Sequence, residues 1–325
     1  MSRTLLLLAL WGVVLNVMPQ KVNPQQKFPR EIPAGNYSGI AHIGNNRYAV
    51  VSDKAAEGGF FIFKIEVNPR SGRIERIANE GFRSSRGPNR DEEGIAFVPP
   101  TGTLFVSGEA DQEILEHTVD GEPTGRRLNV PPVFKTATSN YGFEALTYDE
   151  RRQQLWATTE STLPADGGQA SPLRPVRNRL RLQSFGLDMQ PGAMYYYETD
   201  EPRHRGGYRH YALGVCALCA LPDGRMLVLE REACVKKRKI GSYVHNKIFI
   251  VRPGEPVRAG DVLSKTLLCE FRTRINLLRQ NYANYEGMCL GPRLADGRQV
   301  LILVCDSQNQ YKGILRDWFK TVLIE

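Results

Sequence analysis

One unit of sequence recurs along the chain and constrains its fold more than any other feature. Each copy has an apolar strand, a polar turn and a second apolar strand that closes on an acidic residue. Three copies are clear and two are weaker, and they span residues 91–109, 140–160 and 284–306, then 37–53 and 214–230. The turns contain the glycine, proline, asparagine and aspartate that β-turns require. The repeat predicts an all-β protein made of similar hairpins.

More strand-like sequence follows each hairpin, so the full repeat is about four strands long. After residue 109, for example, two strand-like segments flank an Asp120-Gly121 turn, a dipeptide that hairpins favour. Four-stranded units in series predict a β-propeller of antiparallel blades. We count five blades, and the long irregular region 160–213 leaves six as an alternative. A β-sandwich with coincidental hairpins is the competing fold.

The N-terminal residues are predicted to be distinct from the propeller domain. Arg3 precedes an apolar run from about Leu5 to Val17, which has the length of a signal-peptide core and is short for a membrane span. We therefore predict a signal peptide at 1–20, an N-terminal segment at 21–34 and a propeller domain at 35–325. An uncleaved anchor is the alternative at the N-terminus. The segment around 27–32 is expected to supply the outer strand of the last blade.

The charge balance favours an anionic partner. The chain carries a formal net charge of +8, with a pI of about 9.2, and a basic protein attracts phosphate esters, nucleic acids or anionic surfaces. Nucleic-acid binding is not expected, because the sequence has no helix-turn-helix pattern, zinc-finger spacing or RNA-binding signature. We expect an exported protein, periplasmic or extracellular, that is a monomer, has no membrane contact beyond a possible anchor, and binds a small anion.

Six cysteines lie in the C-terminal third of the chain. Cys216 and Cys219 are three residues apart within a strand-like run, so their side chains point to opposite faces. A disulfide or a shared metal between these two residues is not expected. We predict that most of the thiols are free and buried.

The acids that bracket each hairpin are the candidate site. In a propeller blade the innermost strand lines the central channel and the second strand returns antiparallel, so the start of the first and the end of the second share one rim. This predicts eight carboxylates at one mouth: Asp53, Glu93, Glu109, Glu144, Glu160, Glu230, Glu286 and Asp306. Crowded like charges demand cations, and oxygen ligands favour Ca²⁺ or Mg²⁺. The alternative role is to fasten neighbouring blades through backbone N–H groups.

Basic residues flank the same rim. Arg86 and Arg90 precede the second hairpin, and Arg231, Lys236 and Arg238 follow Glu230. Acids that hold a cation beside cations that hold an anion would suit a phosphate ester. These five residues are the predicted substrate-binding groups. A solvated surface is the alternative for them.

The series "SGIA…VVSD", "EEGIAF…LFVSGE", "NYGFEALTYD…LWATTE", "LPDGRMLVLER" and "NYEGMCLG…LILVCDS" resembles the phytase-like family of exported bacterial proteins, which is described as having an esterase-like activity related to phytases. The resemblance covers nearly all of the chain after residue 35. It implies a β-propeller and calcium-assisted hydrolysis of phosphate esters.

The positions that match the acidic motifs of this family divide into two predicted roles. We expect Glu160 or Glu230 to act as general base. The expected ligands of the calcium ion are Asp53, Glu93, Glu109, Glu144, Glu286 and Asp306. Two other functions stay open: a non-catalytic propeller that binds a ligand or partner, and a calcium-dependent lactonase-like propeller.

Overall fold

A computed structural model of the protein describes residues 20–138, 140–237, 239–254, 256–275, 281–308, 310 and 316–325. Two short strands come first, β1 (Lys21–Val22) and β2 (Gln26–Lys27). The predicted signal peptide lies outside the described residues, except for its last position. Within those ranges no helix is long and apolar enough to cross a membrane.

Nineteen further strands form the blades of a five-bladed β-propeller, which confirms the predicted fold and blade number. The first blade contains β3 (Tyr37–Gly44), β4 (Arg47–Ser52), β5 (Gly59–Val67) and β6 (Ile74–Ser84). The second contains β7 (Glu92–Val98), β8 (Thr103–Gly108), β9 (Glu113–Thr118) and β10 (Pro123–Arg127). The third contains β11 (Phe143–Asp149), β12 (Gln154–Thr159), β13 (Arg179–Gly186) and β14 (Pro191–Glu198).

The last two blades follow the same plan. The fourth contains β15 (His210–Ala220), β16 (Met226–Val235), β17 (Tyr243–Val251) and β18 (Lys265–Arg274). The fifth contains β19 (Asn284–Arg293), β20 (Gln299–Asp306) and β21 (Trp318–Ile324). In all blades, adjacent strands pair antiparallel in chain order, and the innermost strands contact one another around the ring. Residues 160–213 contain β13, β14 and a short 3₁₀ helix (Pro164–Asp166), and they form no sixth blade.

The fifth blade takes its outer edge from the start of the chain. Both β1 and β2 pair antiparallel with β21, with Val22 opposite Val322 and Lys27 opposite Trp318. The ring of Phe28 then stacks on Phe319 at a centroid distance of 3.8 Å. The two ends of the described chain are therefore held in one sheet, and opening the ring requires breaking a complete strand pair.

Hydrophobic residues fill the interfaces between blades. Each of five clusters joins two neighbouring blades; in one, Trp156 of the third blade packs with Val215 and Val228 of the fourth. All six cysteines lie in the described residues, all are free, and all except the half-buried Cys269 are buried. The prediction of buried free thiols is confirmed.

A β-bulge interrupts every innermost strand, near the start in four blades and in the middle of β15. In β11, for example, Phe143 pairs with Thr159 and Ala145 with Thr158, which leaves Glu144 as the extra residue. A bulge redirects the side chain that it contains. The bulged residues of the five blades are Ser38, Glu93, Glu144, Cys216 and Glu286.

A small residue follows each bulge because the innermost strands approach closely there. A Cβ atom added to Gly39 would lie 2.3 Å from the carbonyl oxygen of Glu93 in the next blade. At Gly287 the corresponding atom would lie 2.9 Å from the carbonyl oxygen of Ser38. At Gly39 the nearest obstacle is backbone, which cannot rotate away, and at Gly287 the Val304 side chain at 2.6 Å adds to the backbone contact. Glycine at these positions sets how tightly the ring closes.

We predict that Gly39→Ala lowers the free energy of unfolding by about 1–3 kcal/mol, the usual cost of overpacking a tight interior. Gly207→Ala is the matched control, since its added Cβ would have no neighbour within 4 Å. Urea denaturation of both variants measures the difference. A Gly39→Ala protein as stable as the control would show that the first and second blades can separate without cost.

Candidate functional site

Two rings of side chains surround one mouth of the channel. The bulged residues of the innermost strands form the first ring. The second ring comes from the second strands, at their ends in four blades and within β16 in the fourth, and consists of Asp53, Glu109, Glu160, Arg231 and Asp306. The two rings together place seven carboxylates at this mouth, where their charges act on one another. The predicted convergence of the hairpin ends is thus present in the structure.

Glu230 does not join this group. Along a strand, alternate residues face alternate sides: Val228 faces the third blade and Leu229 the fifth. Glu230 accordingly points toward the third blade, where it accepts a hydrogen bond from the Tyr197 hydroxyl (2.6 Å) and pairs with Lys265. The prediction that Glu230 lies at the rim is therefore wrong by one residue in the register of the strand.

Arg231 occupies the position that an acid holds in the other four blades. Trp156 in β12 and Leu227 in β16 both face the next blade. Glu160 and Arg231 lie four residues further along the chain, an even number, so their side chains point in that same direction. A shift of one residue moves a strand side chain to the opposite face of its sheet. The second ring therefore contains four acids and one guanidinium group.

The buried Arg231 guanidinium bridges acids of two other blades. It donates to Glu160 and to Glu286, and its Nη1 lies 2.9 Å from Asn284 Oδ1. Asn284 Nδ2 in turn donates to Glu286 Oε1 over 2.7 Å. Only 6% of Arg231 is exposed, so solvent screens these pairs weakly. Arg231 therefore compensates Glu160 and Glu286 directly.

The acids on the opposite side of the mouth have less compensation. Burial, and then the charges of Glu286 and Asp53, raise the pKa of Glu93 well above its ordinary value. Burial raises the pKa of Asp306 to about 7, with Asp53 adding to the effect. Asp53 Oδ1 is buried without a hydrogen-bond partner in the described residues, and Asp53 Oδ2 lies 3.2 Å from Lys54 Nζ. This sector of the mouth is short of positive charge.

Glu144 stands apart because its carboxylate accepts no hydrogen bond and forms no ion pair within the described residues. It is 7% exposed, and burial with the charges of Glu93 and Glu160 raises its pKa well above the ordinary value. Single ligand atoms of Glu144, Glu160 and Cys216 lie within 4.8 Å of one another. Oxygen and sulfur donors thus meet at this point of the mouth.

Glu109 fastens neighbouring blades through a backbone N–H group, which is the alternative role predicted for the rim acids. Its Oε1 accepts a hydrogen bond from Gly142 N of the next blade at 2.9 Å. Glu92, at the start of β7 in the second blade, likewise accepts a hydrogen bond at 2.8 Å from Gly59 N, which belongs to β5 of the first blade. The sequence did not single out Glu92. Acids at the blade edges therefore serve two purposes: some line the channel mouth, and others, such as Glu109 between the second and third blades, fasten neighbouring blades.

A cleft with a volume of about 570 Å³ adjoins the mouth above the fourth and fifth blades. Glu160, Arg231, Glu286 and Asp306 form its floor, and its walls include Tyr141, Arg209, Tyr211, Lys239 and Tyr282. Below the rings the channel narrows between apolar side chains of the innermost strands, namely Ile40, Ile95, Leu146, Leu218 and Met288. The mouth is therefore open toward the cleft.

Of the five predicted anion-binding residues, Arg231 reaches the mouth. Arg86 is exposed and pairs with Glu122 at 2.7 Å. Arg90 pairs with Asp111 at 3.0 Å inside the second blade, and Lys236 is exposed away from the cleft lining. Arg238 lies outside the described residues.

Several residues of the site escaped the sequence analysis. Arg209 and Lys239 lie between copies of the repeat and carry no repeat signal, and Asn284 opens the last copy without being a candidate acid or base. Ser38 and Cys216 could have been found, because each precedes a small residue and an apolar one at the start of its repeat, as the three bulged glutamates do.

The fold and the mouth define a β-propeller with an acid-lined channel. The sequence profile of the phytase-like family, described as "esterase-like activity of phytase", matches residues 32–308. The chain belongs to this family. A search of curated proteins returns no match.

Solved structures of several propeller proteins resemble the chain at low identity. An endo-arabinase from Bacteroides thetaiotaomicron is 10% identical, with 90% of this chain and 94% of that chain covered and a TM-score of 0.48. A luciferin-regenerating enzyme is 14% identical over 92% and 94%, with a TM-score of 0.47. Streptogramin B lyase is 10% identical over 94% and 98%, with a TM-score of 0.40.

The raised pKa of Asp306 predicts a pH dependence of stability in chelator-treated protein. Between its ordinary pKa of 3.8 and its folded value of about 7, the folded state binds more protons than the unfolded state. The free energy of unfolding should therefore fall as the pH rises from about 5 to about 8. Asp306→Asn should flatten this slope, and Asp120→Asn, at an exposed turn, should not. Urea denaturation at several pH values measures the free energy of unfolding and hence this slope. Equal slopes in the two variants would contradict the assignment of the pH dependence to Asp306.

Replacing Arg231 should be costly. Arg231→Gln leaves Glu160 and Glu286 buried without their partner, and losing one member of a buried ion pair costs about 3–5 kcal/mol. Arg70→Gln, at an exposed turn, is the control. Denaturant unfolding at neutral pH distinguishes the two; a loss below about 1 kcal/mol for Arg231→Gln would show that solvent already screens these acids.

Proposed function

We propose that the channel mouth binds Ca²⁺ and that the protein hydrolyses phosphate esters in the adjoining cleft. The observation that carries the proposal is the convergence of seven carboxylates that one buried guanidinium group, Arg231, only partly balances. Membership of the phytase-like family supports it. Export, as predicted from residues 1–20, is part of the proposal, since extracellular calcium modules work with dissociation constants of roughly 10⁻⁴–10⁻³ M.

The donor set on the Asp53 side of the mouth suits a hard cation. Asp53, Glu93, Glu286 and Asp306 offer oxygen atoms alone, and their charges raise one another's pKa. Asp53 Oδ1 is buried with no hydrogen-bond partner among the described residues. Ca²⁺ accepts six to eight oxygen ligands at flexible geometry. These four residues are the proposed ligands, a smaller set than the six predicted from sequence.

The bound cation would supply a positive centre that polarises the phosphoryl group. The protein would supply the remaining contacts. Arg209 and Lys239 in the cleft wall and Arg231 in its floor provide cationic donors for the other oxygens of the phosphoryl group. Glu160 lines the cleft and receives Arg231 through Oε1, which leaves Oε2 to accept a proton from water. Glu230 has no part in this scheme because it faces the third blade.

The test couples metal binding to activity. Chelator-treated protein is titrated with Ca²⁺ by calorimetry, and hydrolysis of a panel of phosphate monoesters and lactones is measured with and without Ca²⁺. We expect Glu93→Gln to weaken calcium binding at least tenfold, because it removes a buried charged ligand. Glu150→Gln is the matched control, since Glu150 is an exposed acid at the opposite end of the third blade's hairpin.

Each outcome decides between the functions considered above. Calcium-dependent phosphate release that is lost in Glu93→Gln and kept in Glu150→Gln would support the proposal. Lactone hydrolysis alone would favour a lactonase-like enzyme. Calcium binding without any hydrolysis would favour a ligand-binding propeller, and an absence of calcium binding would overturn the metal site.

A further inference from the structure

We infer that the mouth has a second, chemically different metal site, formed by Glu144, Glu160 and Cys216, and that this site takes a thiophilic divalent cation such as Zn²⁺ or Cd²⁺. It lies in the sector between the third and fourth blades. The calcium ligands proposed above come from the first, second and fifth blades. The two sites share no ligand, and Glu160 can act as the general base of the proposed reaction only while the second site is empty.

The geometry comes from the two rings. Glu144 and Cys216 are the bulged residues of neighbouring innermost strands, and Glu160 ends the second strand of the third blade. One carboxylate oxygen from each glutamate and the Cys216 sulfur lie within 4.8 Å of one another. Ligand atoms around tetrahedral zinc are about 3.3–3.8 Å apart, given bonds of about 2.0–2.3 Å. Small side-chain rotations would close the difference.

The absence of a hydrogen-bond or ion-pair partner for Glu144 among the described residues is the independent observation that points to a bound ligand. The Glu144 side chain is more than nine-tenths buried, yet it accepts no hydrogen bond and forms no ion pair within the described ranges. Buried carboxylates are normally hydrogen-bonded or bound to metal. Glu109, at the same mouth, has its backbone N–H donor. Glu144 instead faces the sulfur of Cys216 and the carboxylate of Glu160.

The donor types select the metal. Thiolate sulfur is a poor ligand for Ca²⁺ and Mg²⁺ but a strong one for Zn²⁺ and its heavier relatives. Two carboxylates and one thiolate balance the charge of a divalent ion together with Arg231, which already pairs with Glu160. Three protein ligands leave a fourth position, and Glu160 lines the cleft, so that position is reached from the cleft.

The experiment titrates chelator-treated, reduced full-length protein with Zn²⁺ against a chromophoric zinc chelator, and with Cd²⁺ while recording the ultraviolet charge-transfer absorption of cadmium thiolate. Cys216→Ser and Glu144→Gln are the test variants. Cys219→Ser is the matched control, because Cys219 is buried in the same strand and the same apolar cluster as Cys216 but is not part of the group with Glu144 and Glu160. Calorimetry with Ca²⁺ and thermal unfolding without metal are run on every variant.

We expect one zinc equivalent to bind the unmodified protein and Cys219→Ser, and to bind Cys216→Ser and Glu144→Gln at least about tenfold more weakly. The cadmium absorption should vanish only in Cys216→Ser. Calcium binding should persist in Cys216→Ser, so this inference and the proposed function can fail separately. Zinc binding that is unaffected by Cys216→Ser, or lost equally in Cys219→Ser, or no zinc binding by a folded protein, would overturn it.

Discussion

The close approach of the five innermost strands is the constraint on which the site depends. A carbonyl oxygen of the second blade lies 2.3 Å from where a Cβ of Gly39 would stand, so the strands leave no room for side chains between their backbones. A bulge at the same place in each strand therefore sends its extra residue into the channel mouth. The ring of Ser38, Glu93, Glu144, Cys216 and Glu286 follows from this arrangement.

Electrostatics then make the mouth unequal around its circumference. Burial and mutual repulsion raise the pKa of Glu93, Glu144 and Glu286 well above ordinary values, so the mouth favours any positive charge that can enter. Arg231 supplies one such charge on the side of the third, fourth and fifth blades. On the opposite side, Asp53 Oδ2 lies 3.2 Å from Lys54 Nζ and Glu93 forms no ion pair within the described residues. A fivefold scaffold thus presents different chemistry in each sector, and this asymmetry is what a substrate or metal would recognise.

Much of this arrangement could be predicted from the repeat, and the failures have two causes. The hairpins, the five blades and the meeting of Glu144 with Glu160 follow from strand alternation and antiparallel pairing. Glu230 was misplaced because it was aligned with Glu160, whereas it pairs at the position that Thr159 holds in the third blade, and one residue turns a side chain to the other face. Arg86 and Arg90 were assigned to the rim by loop position, but loops follow local ion pairs with Glu122 and Asp111.

The sequence by itself determined the class of fold, because turn residues and alternating apolar positions act locally and repeat at a fixed spacing. It also determined that acids would gather at one rim. The tertiary structure alone decided which acid lacks a partner, that Arg231 takes the fifth position of the second ring, and that Cys216 meets Glu144 and Glu160. Those contacts join residues of different blades, and their distances depend on how tightly the ring closes, which no single repeat encodes.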